Sequence, residues 1–86
     1  MPLLSEFAGM KIYMYWDDHT PPHIHVEYAN FVALVDIEKC VIIRGMLPSN
    51  KAKVILGWCE LHREELKSAW ETVKNHGMPL KIEPLE

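Results

Sequence analysis

The sequence predicts an α+β fold: an antiparallel meander of three or four strands, then one long C-terminal helix and a short extended tail. Three observations predict it. Apolar and polar residues alternate from Met10 to Trp16 and again from His23 to Tyr28, nearly continuous apolar runs fill 31–36 and 40–44, and apolar residues recur at helical spacing from Val54 to Val73. The first pattern is the period of two of a half-buried strand, and the last is the stripe of an amphipathic helix. Residues 1–86 are read as a single domain, with strands over about 10–45, the helix over about 50–75 and the tail over 77–86.

Ala8-Gly9 is a turn signal ahead of the first strand, Met10 to Trp16, where Met10, Ile12, Met14 and Trp16 share one side and Lys11, Tyr13 and Tyr15 the other. Asp17 to Pro22 is a loop, because paired prolines remove backbone donors and end regular pairing. His23 to Tyr28 alternates again, with Ile24, Val26 and Tyr28 on the apolar face and His23, His25 and Glu27 opposite. Ala29-Asn30 makes a two-residue hairpin connection to Phe31–Asp36, and the polar turn Ile37-Glu38-Lys39 leads to a strand over Cys40–Arg44. Neither run shows by its pattern which face packs inward. Gly45 to Pro48 breaks the pattern, and Ser49 or Asn50 offers a helix cap. The helix carries Val54, Ile55, Trp58, Cys59, Leu61, Leu66, Ala69, Trp70 and Val73 on its apolar positions. It ends at His76-Gly77, where glycine suits the left-handed cap and Pro79 forbids continuation. Leu80 to Leu85 is an apolar tail that packs on the sheet or on a neighbour.

With 86 residues, 49% of them hydrophobic and three Trp, three Tyr and five Met, the chain has much apolar surface to hide. A domain this small buries only about 60% of the surface its unfolded form exposes. Self-association is the usual outlet, so a homo-oligomer or a cognate small protein partner is expected. The net charge of −3 disfavours broad nucleic-acid binding, which draws on a basic footprint, without excluding it. Cys40 and Cys59 read as small buried hydrophobes rather than a structural disulfide, and no Cys-x-x-Cys occurs. No basic n-region precedes an apolar core, and no apolar run approaches the ~20 residues of a membrane span, so a cytoplasmic location without membrane contact is expected.

The segment Asp17-Asp-His-Thr-Pro-Pro-His-Ile-His25 gathers three of the five histidines and two carboxylates. Residues i and i+2 of a strand project the same way with Cα atoms ~6.5 Å apart, so His23 and His25 can flank one ligand. His19 can fold back as a third imidazole, from a loop that the prolines stiffen. Two chemistries fit. Three imidazoles (His19, His23, His25), with Asp17, Asp18 or Glu27, suit a divalent transition metal. With no cofactor at all, two imidazoles suit general acid and base work, phosphodiester cleavage above all, with Lys11 or Arg44 steadying the anionic transition state. The bland reading stands beside both: His, Asp and Pro make ordinary loops, and a polar strand face can simply meet water or a neighbouring subunit. His62, four residues from both Trp58 and Leu66, lies on the helix's apolar stripe and either approaches the histidine strand or only packs. Trp58 and Trp70 read as core or interface anchors, and His76 as a partner for the helix dipole. The histidine pair also suggests the cupin metal motif, but the chain is too short for that double-sheet barrel.

Together, Phe7-Ala-Gly-Met-Lys-Ile-Tyr-Met-Tyr15, Asp18-His-Thr-Pro-Pro-His-Ile-His25, the Leu47-Pro turn, Trp58-Cys-Glu-Leu-His-Arg-Glu-Glu-Leu-Lys-Ser-Ala-Trp70 and Lys81-Ile-Glu-Pro resemble one bacterial family. It is a family of small proteins known only as a domain of unknown function, often encoded beside a second small protein in an arrangement suggesting a toxin–antitoxin pair. The resemblance covers nearly the whole chain and carries over His19, Pro21, Pro22, His23, His25, Trp58, His62 and Trp70. It implies no reaction and no cofactor. The expectation is therefore the toxin-like member of a two-gene module, with a catalytic site of His19, His23, His25 and Asp18, joined by His62. The alternatives are a non-catalytic module that oligomerises or binds a partner protein, and a metal-binding sensor.

Overall fold

The computed structural model describes residues 2–16 and 21–85. Among them, β1 (Leu3–Phe7), β2 (Met10–Tyr13), β3 (His23–Tyr28), β4 (Phe31–Asp36) and β5 (Val41–Gly45) precede two helices, α1 (Ser49–Leu61) and α2 (Arg63–Lys74). The strands lie in chain order, each antiparallel to the next. The α+β class holds, but two expectations are overturned. The sheet has five strands rather than three or four, and the single long helix is two helices of 13 and 12 residues.

The additional strand is β1, which a tight connection joins to β2. Ala8 and Gly9 both take positive φ, 53° and 76°, the twist that a two-residue hairpin turn demands. Ala-Gly is a weaker hairpin signal than Asn-Gly, and five residues give little alternation to read. Expected boundaries move elsewhere too. β2 ends at Tyr13 rather than Trp16, and Cys40 sits in the β4–β5 turn at φ 53° instead of opening β5.

The register sets the core. Met10 and Ile12 lie opposite Tyr28 and Val26, and Ile24 and Val26 lie opposite Val35 and Ala33. That face joins Ile55, Trp58 and Cys59 of α1 and Leu66, Ala69, Trp70 and Val73 of α2 in one buried cluster. Each large side chain removed from water contributes about 1.5–3 kcal/mol. The Trp58 ring packs 5.2 Å from that of Phe7, tying α1 to β1.

No proline or glycine marks the break between the helices. His62 has φ −111° and ψ 23°, off the helical values, yet its N–H still donates to Trp58 O (3.0 Å) and its carbonyl accepts from Leu66 N–H (2.9 Å). The chain bends there without unwinding. Tertiary contacts hold the bend: Arg63 donates from Nε to Ile37 O (3.4 Å) and from Nη2 to Cys40 Sγ (3.3 Å), fastening the first residue of α2 to the β4–β5 turn. Glu64 and Glu65 in its first turn suit the positive end of the helix dipole. Leu61, at the bend, is 69% exposed, although its spacing places it on the apolar stripe.

Both helix ends depart from expectation. α1 is capped by Pro48 with no side-chain bond, so neither Ser49 nor Asn50 serves as the cap. At the end of α2, His76 rather than Gly77 takes the left-handed conformation (φ 64°). His76 N–H donates to Val73 O (2.9 Å) and Gly77 N–H to Thr72 O (2.8 Å), the two bonds of a Schellman motif. The tail lies along β1: Ile82 N–H donates to Leu4 O (2.8 Å), and Glu83 O accepts from Trp58 Nε1 (2.9 Å). Among the described residues, no helix is long and apolar enough to cross a membrane.

Candidate functional site

Opposite in parity to the core-facing residues, three cross-strand rows form the second face of the sheet. They run Lys11–Glu27–Val32, Tyr13–His25–Leu34–Arg44 and His23–Asp36–Val41. Alternation in β3 thus puts His23 and His25 on one side, and pairing brings a tyrosine and an arginine into the same row as His25.

Rings from β3, from the segment just after β2 and from α2 line up around the histidines. His25 stacks on Tyr15, with centroids 4.0 Å apart and planes at 23°. His23 follows at 5.2 Å from His25, and Trp70 of α2 at 5.4 Å from His23. The row places the two imidazoles unequally. His23 is only 6% exposed, closed in beside Trp70, whereas His25 is half-buried and reaches solvent.

His23 Nδ1 lies 2.8 Å from the carbonyl oxygen of Pro21. A carbonyl only accepts, so Nδ1 carries the proton and donates, which makes Nε2 the basic nitrogen of the neutral ring. The loop's end is held as well, since Ile37 N–H donates to Pro22 O at 3.0 Å. Asp36, buried and opposite His23 in the register, accepts from Lys39 N–H through Oδ1 (3.0 Å) and thereby shapes the β4–β5 turn.

Not every expected residue joins this group. Asp17, Asp18 and His19 fall outside the described residues. His62 packs its ring on Trp58 (5.2 Å), and its Nδ1 meets Glu65 Oε1 at 2.6 Å, so its contacts are at the helix bend. Glu27 stands opposite Lys11, a cross-strand pair of opposite charge. His76 is the left-handed residue of the helix end. Among the described residues, no cluster of three or more His, Cys, Asp or Glu side chains has the geometry to hold a metal ion.

Tyr15 and Trp70 were the partners that sequence reasoning did not attach to the histidines. Alternation already put Tyr13 and Tyr15 on one side of their strand; the missing information was the pairing register. Two clefts lie away from the imidazoles. One of about 260 Å³ separates α2 from the tail, lined by Glu65, Thr72 and Leu80, and one of about 290 Å³ runs between β1 and the tail.

A five-stranded antiparallel meander with two helices, carrying an imidazole–aromatic row on β3, defines a small α+β protein whose chemistry is not declared by its fold. The chain belongs to the family described as Domain of unknown function (DUF4160), whose model matches residues 9–71. That span takes in β2 to β5, the histidine segment and most of both helices. No curated protein and no solved structure matches the chain.

Proposed function

We propose that the chain is the toxin-like member of a two-gene bacterial module and that His25 and His23 carry acid–base chemistry on a phosphodiester or nucleotide. The observation that carries this reading is the fixed 5.2 Å spacing of the two imidazole rings, with one reaching solvent. On this reading the phosphate is bound at the edges of the two adjacent rings, one imidazole removing a proton from the attacking hydroxyl while the other, protonated, gives one to the leaving oxygen. Arg44, in the same cross-strand row as His25, supplies positive charge for the anionic transition state, whereas Lys11 faces the carboxylate of Glu27. Asp18 and His19, which precede β3 in the sequence, complete the proposed set.

Induced expression in a bacterial host tests the reading. The wild-type chain is expected to arrest growth, and His25→Ala to relieve the arrest while keeping its melting temperature within a few degrees. Growth arrest by His25→Ala equal to the wild type, or no arrest by the wild type, overturns it.

A second reading rests on a different observation. Val32, Val41, Ile43 and Met46, on and around β4 and β5, are 43–64% exposed, and β5 is an edge of the sheet. Such an edge suits a non-catalytic module that pairs with another copy or with a cognate small protein. On this reading the histidine variants behave as the wild type, and Ile43→Lys lowers the mass of the assembly in solution.

A further inference from the structure

Cys40 and Cys59 are separated by nineteen positions in the chain, one in the β4–β5 turn and one inside α1, yet their sulfurs lie 3.1 Å apart. Both are buried, at 4% and 0% exposure. Two sulfurs already in contact need to close by only about 1 Å to reach a disulfide bond length of ~2.05 Å. The surroundings also differ between the two thiols. Cys40 Sγ accepts from the guanidinium of Arg63 at 3.3 Å, so a cation stands ready beside its thiolate form. Cys59 lies deeper, among the apolar side chains of α1 and the sheet.

We propose that Cys40 and Cys59 are a reversible intramolecular disulfide site. Cys40 is the attacking sulfur, Cys59 the resolving one, and Arg63 the residue that positions the first. With hydrogen peroxide as oxidant, the Cys40 thiolate attacks one peroxide oxygen, the O–O bond breaks, and the departing hydroxide takes up a proton to leave as water. The resulting sulfenic acid is attacked by Cys59 sulfur; the S–S bond forms, the S–O bond breaks, and a second water leaves with the Cys59 proton. Both thiols are oxidised by two electrons in all, and the peroxide is reduced to two waters. An external dithiol reverses the bond by exchange.

The bond would tie the β4–β5 turn to α1. That turn already supports the start of β3, through Ile37 N–H on Pro22 O and Asp36 opposite His23. Oxidation therefore stiffens the segment on which His23 is carried. A cross-link over a loop of this length constrains the unfolded chain and raises the melting temperature by on the order of 10 °C.

The test uses the full chain, reduced, freed of reductant and treated with equimolar hydrogen peroxide. Expected are loss of both alkylatable thiols under denaturing conditions, a monomeric mass lower by two hydrogen atoms, the higher melting temperature, and full reversal by dithiothreitol. Cys59→Ser is expected to stop at a sulfenic acid trapped by dimedone on Cys40, and Arg63→Gln to form the same disulfide severalfold more slowly. Two thiols that still alkylate after treatment, or a bond found only between separate chains, overturn the proposal. An unchanged rate in Arg63→Gln removes that residue from it.

Discussion

The imidazole of His23 and the indole of Trp70 lie 5.4 Å apart at an angle of 48°, joining the first residue of β3 to the middle of α2. The indole is 3% exposed and also carries Lys74 Nζ at 5.9 Å from its ring. One aromatic ring thus serves both the core and the wall against which an imidazole is held.

Truncating that ring has two separable effects. Trp70→Ala is expected to cost about 3–5 kcal/mol, as large-to-small changes in a closed core do. Trp70→Phe keeps most of the apolar volume and is expected to cost less, while altering the environment of His23. Chemical denaturation measures the first, and the NMR titration of the His23 ring in both proteins measures the second.

Backbone conformation offers a pair of changes with opposite signs. Gly45 takes φ 77°, and a Cβ there would collide with Val32 O, so Gly45→Ala is expected to destabilise by more than about 2 kcal/mol. His76 takes φ 64° with a side chain that resists it, so His76→Gly is expected to stabilise by about 0.5–1 kcal/mol, part of the relief being offset by a freer unfolded chain. Melting curves of the two variants read both signs.

Stability should decline in alkali through Cys59. Burial, first, and then the hydrogen bond and charge of Cys40 push its thiol well above the ordinary value of 9.0. The folded protein therefore keeps the proton that the unfolded chain releases. The contribution is fully present below about pH 9 and is lost as pH rises past it, by up to ~1.4 kcal/mol per pH unit for one proton. Denaturation of the reduced protein between pH 8 and about 10.5 is expected to show this slope, and Cys59→Ala, though less stable overall, a shallower one. Equal slopes would show that the thiol is not its source.

His62 and Glu65 are close partners at the helix bend, with Glu65 more than half exposed. Glu65→Ala is expected to change stability little, as surface pairs usually do, and to leave both helices in place. A large loss of helical circular dichroism in that variant would assign the bend to this pair rather than to the Arg63 contacts.

What was legible in the sequence was local. β3 and β4 stand at His23–Tyr28 and Phe31–Asp36, where alternation and the apolar run put them, because a period of two is a property of neighbouring residues. The same parity put His23 and His25 on one side of their strand. The bend at His62 was not legible, because Leu-His-Arg-Glu is ordinary helical sequence and the contacts that hold the bend come from Ile37 and Cys40.

The sequence by itself determined the α+β class, the side of β3 that carries the imidazoles, and the family to which residues 9–71 belong. Only the tertiary structure decided that the sheet has five strands, that Tyr15 and Trp70 flank the histidines, and that two distant cysteines touch. Periodicity reports which way a side chain faces relative to its own element. Which other element it then meets depends on register, bend and packing over tens of residues, and those are settled by the burial of the whole core at once.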